Sequence, residues 1–253
     1  MSKIGIFDSG IGGLSVFKYV YENFPKNIFV YLADENYYPY GLKSNEEIKK
    51  RSEKIVNFFI SLNVDLIIVA CNTVSSVALE YLKKKYNIPI IGVIDGAVER
   101  SVVVTKNRLI GVISTPLTAK THFYRNKILL KNKNVNVYEI GSQELVDIVE
   151  NGLINDNPTY KIAKEILDKI KFVDTLILGC THFPALEDLI LKILPSVQIV
   201  DPAKEIISYI KDYIKISDKS DLIFYTTGDI DSFKKKAKIF IKDLDINVKK
   251  ISI

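Results

Sequence analysis

Short runs of aliphatic and β-branched residues recur along the chain. Each ends in a polar or glycine-containing turn and is followed by apolar residues at helical spacing. The first four runs, 4–7, 29–32, 66–69 and 89–94, read as strands. They are apolar without alternation, so both faces of their sheet must be covered, as in a parallel sheet between layers of helices. A first helix runs to about Phe24, ahead of Pro25. A second opens at Ser44, which forms a capping box with Glu47, and turns Ile48, Ile55, Val56, Phe59 and Ile60 to one face. A third follows the turn at 70–73 and runs to about Tyr86. Residues 33–41, with tyrosines at 37, 38 and 40, show neither period and read as an aromatic loop of the kind that lines a site.

From Arg108 the pattern starts again. Ile110-Gly111-Val112-Ile113-Ser114-Thr115 echoes Ile4-Gly5-Ile6-Phe7-Asp8-Ser9 at an offset of 106 residues, and Gly179-Cys180-Thr181-His182 echoes Ala70-Cys71-Asn72-Thr73 at an offset of 109. Helices over 118–130, 143–151, 158–171 and 184–194 alternate with strands at 135–140, 176–178 and 198–200. The tail adds a helix, a strand at 222–226, a turn at 227–229, a helix over 232–244 and a last strand at 247–251. This order predicts an α/β protein of two similar, doubly wound parallel-sheet domains related by pseudo-symmetry. The first domain takes 1–95 with the returning tail 208–253, and the second takes 96–207.

Composition narrows the class. The 253 residues are 47% hydrophobic and 26% charged, which is ordinary for a globular protein with a sizeable core. No apolar run reaches the length of a spanning helix and the chain opens on a strand, so a cytoplasmic protein without a membrane partner is expected. The net charge of +5 is spread as Lys49-Lys50, Lys83-Lys84-Lys85 and Lys234-Lys235-Lys236 on helix surfaces, which argues against nucleic acid as a partner. The two cysteines of the chain are expected to be reduced.

Both cysteines stand where an apolar run gives way to a polar turn, the carboxyl end of a strand, where open α/β sheets keep their ligand sites. Several readings remain open on the residues alone. Free cysteine is commonly a small buried hydrophobe, although Asn72, Thr73, Thr181 and His182 would then be polar neighbours wasted in a core. Zinc held by Cys71, Cys180, His122 and His182 lacks closely spaced ligand pairs, and a thioredoxin-like motif needs adjacent thiols. A hydrolytic Cys180–His182 pair would leave Cys71 without work. The remaining reading uses both thiols, one removing a proton from a carbon and the other returning one to the opposite face. The turn Asp8-Ser9-Gly10-Ile11-Gly12-Gly13 adds a tight strand-to-helix loop whose amides offer an anion site, with Asp8 either a helix cap or a site residue.

The stretches Phe7-Asp8-Ser9-Gly10-Ile11-Gly12-Gly13-Leu14-Ser15-Val16, Tyr38-Pro39-Tyr40-Gly41, Ala70-Cys71-Asn72-Thr73 and Gly179-Cys180-Thr181-His182-Phe183-Pro184 resemble, in order over almost the whole chain, the glutamate racemase family of cofactor-independent amino-acid racemases. The resemblance implies interconversion of L- and D-glutamate to supply peptidoglycan synthesis, a homodimer, an active site between two α/β domains, and neither pyridoxal phosphate nor metal. It implies that Cys71 takes the α-proton from D-glutamate and Cys180 from L-glutamate, with Asp8, His182 and Glu150 assisting. Substrate contacts would come from Asp8, Ser9, Tyr40, Gly41, Asn72, Thr73, Thr181 and His182. Two alternatives stand beside it. One is a racemase of aspartate or another acidic amino acid, and the other is a non-catalytic amino-acid-binding protein.

Overall fold

The structure, a computed structural model, describes residues 2–215 and 220–253; residues 216–219, within the tail assigned above to the first domain, lie outside the described residues. Its strands are β1 (Lys3–Asp8), β2 (Ile28–Ala33), β3 (Leu66–Val69), β4 (Ile90–Gly92), β5 (Leu109–Ser114), β6 (Asn136–Gly141), β7 (Thr175–Gly179), β8 (Gln198–Val200), β9 (Asp221–Thr226) and β10 (Val248–Lys250). They form two sheets, β10-β9-β2-β1-β3-β4 and β6-β5-β7-β8, in which the registered pairs run parallel. The order β2-β1-β3-β4 in one matches β6-β5-β7-β8 in the other, so the internal echo of the sequence is an echo of topology. The tail contributes β9 and β10 to the free edge of β2 in the first sheet.

Alternation along each strand supplies three cores. Ile4, Ile6, Tyr31 and Ile68 face one side of the six-stranded sheet, and Phe7, Val30, Leu32, Ile67 and Val69 face the other. The first of these cores also takes Ile110, Val112 and Ile177 from the four-stranded sheet, while Ile113, Leu176 and Leu178 turn to the third. The two halves therefore share a hydrophobic layer, to which each fully buried Ile, Leu or Val adds about 1.5–3 kcal/mol of transfer free energy.

Several helices differ from the sequence pattern. The helix after Cys71 breaks at Ala78 into Asn72–Val77 and Leu79–Lys85. The Ser75 and Ser76 hydroxyls bond the carbonyls of Val69 and Thr73, and such bonds compete with helix continuation. The helix expected over 118–130 starts earlier, with Pro116 in its first turn, and breaks at His122, which adopts left-handed backbone at φ 51°. The helix expected from 184 begins as a 3-10 turn, Phe183–Leu186. The run 89–94 is strand only over Ile90–Gly92, and a further helix, Ile94–Val104, follows it. Ile60, placed on the apolar face of its helix, is exposed. The loop 33–41 is tightened by the 3-10 turns Glu35–Tyr37 and Tyr40–Leu42, with a cis Tyr38–Pro39 bond between them.

Candidate active site

Six of the segments that follow strand ends, those after β1, β2, β3, β5, β6 and β7, meet between the halves. Cys71 follows β3 and stands at the head of the helix Asn72–Val77, and Cys180 follows β7 just before the turn that opens at Phe183. Both cysteines line one narrow cavity, together with Ser9, Tyr38, Pro39, Tyr40, Gly41, Asn72, Thr73, Thr115, Gln143, Val146, Thr181 and His182. Only about 10 Å³ of it admits the centre of a water-sized molecule, room for about one water.

The two thiols have different surroundings. His182 Nδ1 is 3.6 Å from Cys180 Sγ, and its Nε2 is 2.7 Å from Glu150 Oε2. Burial by itself lowers the pKa of the imidazole, but its hydrogen bonds to Cys180 and Glu150 outweigh burial and hold it well above the usual histidine value. Burial likewise raises Glu150, yet the hydrogen bond from His182 and the charges of His182 and Lys236 leave its carboxyl below the ordinary range. The pair is thus arranged to accept a proton at sulfur's side and stabilise it from behind. Around Cys71, burial and then the Asp8 carboxylate push the thiol up, against the backbone amides of Val74 and Thr73. Asp8 is itself raised by burial, opposed by His182, the Gly10 amide and the Thr181 hydroxyl.

The glycine loop is built for close approach. A Cβ on Gly12 would lie 2.5 Å from both His182 Nδ1 and Thr181 Oγ1, so only glycine lets the loop of one half press on the Cys180 turn of the other. One amide of that turn, Gly10, is taken up by the chain itself, donating to Asp8 Oδ1 at 3.0 Å. Asp8 is not a helix cap; the helix Leu14–Asn23 starts from Gly13 without a side-chain cap.

Other hydrogen bonds tie the halves across the cleft. The hydroxyls of Thr73, Thr115 and Thr118 bond one another at 3.0–3.3 Å, Tyr124 donates to Asn72 Oδ1 at 2.6 Å, and Ser15 donates to the Thr181 carbonyl at 3.1 Å.

A family model described as Asp/Glu/Hydantoin racemase matches residues 16–210. The chain belongs to that racemase family. A glutamate racemase from Persephonella marina is 42% identical over 254 residues, 99% of this chain and 97% of that protein. One from Fusobacterium nucleatum is 39% identical over 258 residues, 96% of each. Among solved structures, a glutamate racemase isoform from Bacillus anthracis is similar with a TM-score of 0.93 at 32% identity, covering 100% of this chain and 98% of its own. The glutamate racemase of Francisella tularensis in complex with D-glutamate gives 0.90 at 32% identity, covering 99% and 97%.

In this member of the racemase family, the expected residues Cys71, Cys180, Ser9, Tyr40, Gly41, Asn72, Thr73, Thr181 and His182 all line the cavity. Asp8 and Glu150 stand one layer behind, Asp8 accepting from the Thr181 hydroxyl at 3.1 Å and Glu150 holding His182. The Tyr40 hydroxyl is engaged by Asp34, to which it donates, and Asp34 in turn is gripped by Arg51. His122 lies elsewhere, exposed and bonded to Glu139. No group of three or more His, Cys, Asp or Glu among the described residues is arranged to hold a metal ion, and no helix among them is long and apolar enough to cross a membrane. Thr115, Thr118, Gln143, Tyr124 and Lys236 were not among the expected site residues. Thr115 carried a signal, since the 106-residue offset that aligns Ile4 with Ile110 also aligns Ser9 with Thr115.

Proposed function

We propose that the protein is a glutamate racemase that interconverts L- and D-glutamate with two thiol bases. The observation that carries this reading is that Cys71 and Cys180, on equivalent turns of two matching sheets, line one cavity. Racemisation needs a base on one face of the α-carbon and an acid on the other, and holding both at one carbon supplies the proximity contribution to catalysis.

The two thiols share one transferable proton. In the direction from L-glutamate, Cys180 takes the α-proton as the thiolate beside the charged His182, while Cys71, kept protonated by burial and Asp8, delivers its proton to the opposite face. The reverse direction begins with the proton on Cys180 and the thiolate at Cys71. The α-carboxylate and ammonium are held by Ser9, Asn72, Thr181 and the charge of Asp8 behind them. The hydroxyl cluster of Thr73, Thr115 and Thr118, with the backbone of Tyr40 and Gly41, suits the second carboxylate. The cavity has room for about one water, so admission of an amino acid requires the halves, divided as 1–95 plus 208–253 and 96–207, to part. The same reading makes the enzyme a cytoplasmic homodimer that works without pyridoxal phosphate or metal and supplies D-glutamate for peptidoglycan.

The test is incubation of each glutamate enantiomer in heavy water without added cofactor, following optical rotation and α-deuterium. Inversion with deuterium uptake from both enantiomers is expected. Inversion of aspartate with glutamate untouched would reassign the substrate, and binding without turnover would leave a binding protein.

A further inference from the structure

Glu150 is a buried carboxylate with two oxygens to satisfy, and His182 takes one of them. The other, Oε1, is met at 3.2 Å by Lys236 Nζ. Lys236 stands on the helix Ile230–Ala237, between β9 and β10 of the six-stranded sheet, whereas Glu150 ends the helix Gln143–Glu150 of the other half. Its neighbours Lys234 and Lys235 are exposed, and Lys236 is turned inward and partly buried. A chain of contacts therefore runs Lys236–Glu150–His182–Cys180, and its first link crosses between the halves.

We propose that Lys236 is a positioning residue of the racemase: from the opposite half it anchors Glu150, and through Glu150 it holds the His182 imidazole in place against Cys180. This rests on the function proposed above. The device couples chemistry to cleft closure, because parting the halves would withdraw the cation from Glu150 and leave the relay incomplete until substrate is enclosed.

The surroundings leave this role to few groups. Glu150 is faced by His182 and Lys236 and, at longer range, by Asp8, Glu35, Tyr31 and Tyr38. Glu35 accepts from the Thr226 hydroxyl and feels Asp229 as well as Lys236. His182 is faced by Cys180, Glu150 and Asp8, and Cys180 acts in turn on Cys71, Tyr38 and Tyr124. Among the described residues, Glu150 has the two cationic partners His182 and Lys236, and neither Asp8 nor Glu35 is in an ion pair. Removing the positive charge of Lys236 makes every proton of this acidic cluster harder to release.

The experiment compares wild type, Lys236→Met, Lys236→Arg and, as a control on the same helix, Lys234→Met. The readouts are kcat/KM against pH in both directions and primary isotope effects with α-deuterated L- and D-glutamate. The equilibrium constant between enantiomers is one, so kcat/KM must fall by the same factor in both directions. For Lys236→Met the acid limb of the profile is expected to move up by about one pH unit, which lowers kcat/KM roughly tenfold on that limb. The isotope effect should rise with L-glutamate, whose proton goes to Cys180, and fall with D-glutamate, whose proton goes to Cys71. Lys236→Arg should restore both, and Lys234→Met should match wild type. A Lys236→Met enzyme with wild-type profile and isotope effects overturns the proposal. Wild-type protein that fails to racemise glutamate in the same assays overturns the functional reading instead.

Discussion

Glu150 and His182 meet inside the protein through an Oε2–Nε2 contact of 2.7 Å, which turns the other imidazole nitrogen toward Cys180. A carboxylate at Nε2 fixes the proton there whenever the imidazole is neutral, leaving Nδ1 free to accept from sulfur. The relationship joins a residue at the end of one helix to a residue 32 positions later in a strand-end turn, and it gives the two halves of the site unequal chemistry despite their matching topology.

Glu150→Gln should expose this role. The amide nitrogen can donate to Nε2, which would fix the opposite tautomer and point an N–H at Cys180. The shape of the side chain is kept, so folding should be little affected while kcat falls roughly a hundredfold or more, the scale of a lost general acid–base step. Steady-state kinetics with L-glutamate, beside a thermal melt, check it; kinetics like wild type would remove Glu150 from the relay.

Gly12→Ala tests the close approach of the loop. The added Cβ would stand 2.5 Å from His182 Nδ1, so the imidazole or the loop must shift. Overpacking of this kind costs about 1–3 kcal/mol, and displacement of a catalytic group by about 1 Å can cost about 10²-fold in rate. The expected outcome is a folded protein with modestly lowered melting temperature and severely reduced kcat. Unchanged activity would mean that the loop yields freely.

Much of this was legible before the structure, for a physical reason. The strands are buried on both faces, so their apolar runs are conspicuous, and the two cysteine turns mark the ends of β3 and β7. Thr115 was readable through the repeat that pairs it with Ser9. The breaks at Ala78 and His122 were not, because they depend on hydroxyl–carbonyl bonds and one left-handed residue within otherwise helical patterns. The helix Ile94–Val104 was hidden by Gly96, which discourages a helical reading but sits where a Cβ would meet the Glu205 carbonyl oxygen at 2.7 Å. Lys236 and Tyr124 belong to the site through tertiary contacts alone: one lysine among many on a charged surface helix and one tyrosine on an ordinary helix carry no local mark.

Asp201, which lines a small cavity with Asn72, Cys180 and Thr181, offers a test of buried charge read as stability rather than as activity. Its Oδ1 accepts from the Ala203 amide at 2.9 Å, while its buried Oδ2 has no hydrogen-bond partner among the described residues. Burial pushes its carboxyl up to about 6. The folded state therefore holds this proton more tightly than the unfolded chain does, so stability contributed by the protonated form is full below about pH 4 and is lost as pH rises toward 6. Asp201→Asn cannot ionise. It should gain on wild type between pH 4 and pH 6 and hold the gain above, up to a ceiling of about 3 kcal/mol, less what the unpaired amide costs. Urea unfolding at pH 4.5 and 7.5 measures the difference; an equal effect at both pH values would contradict it.

The central claim, that one thiol removes the proton and the other returns a different one, is tested most directly by early-conversion labelling. L-glutamate carrying deuterium at the α-carbon is incubated with enzyme in ordinary water, and the first D-glutamate formed is analysed together with the unreacted L-glutamate. Two opposed thiols predict D-glutamate with protium at the α-carbon and remaining L-glutamate that keeps its deuterium, with the reaction abolished in Cys71→Ala and in Cys180→Ala. Deuterium carried over into the D-glutamate, or wild-type turnover in either variant, would contradict the account.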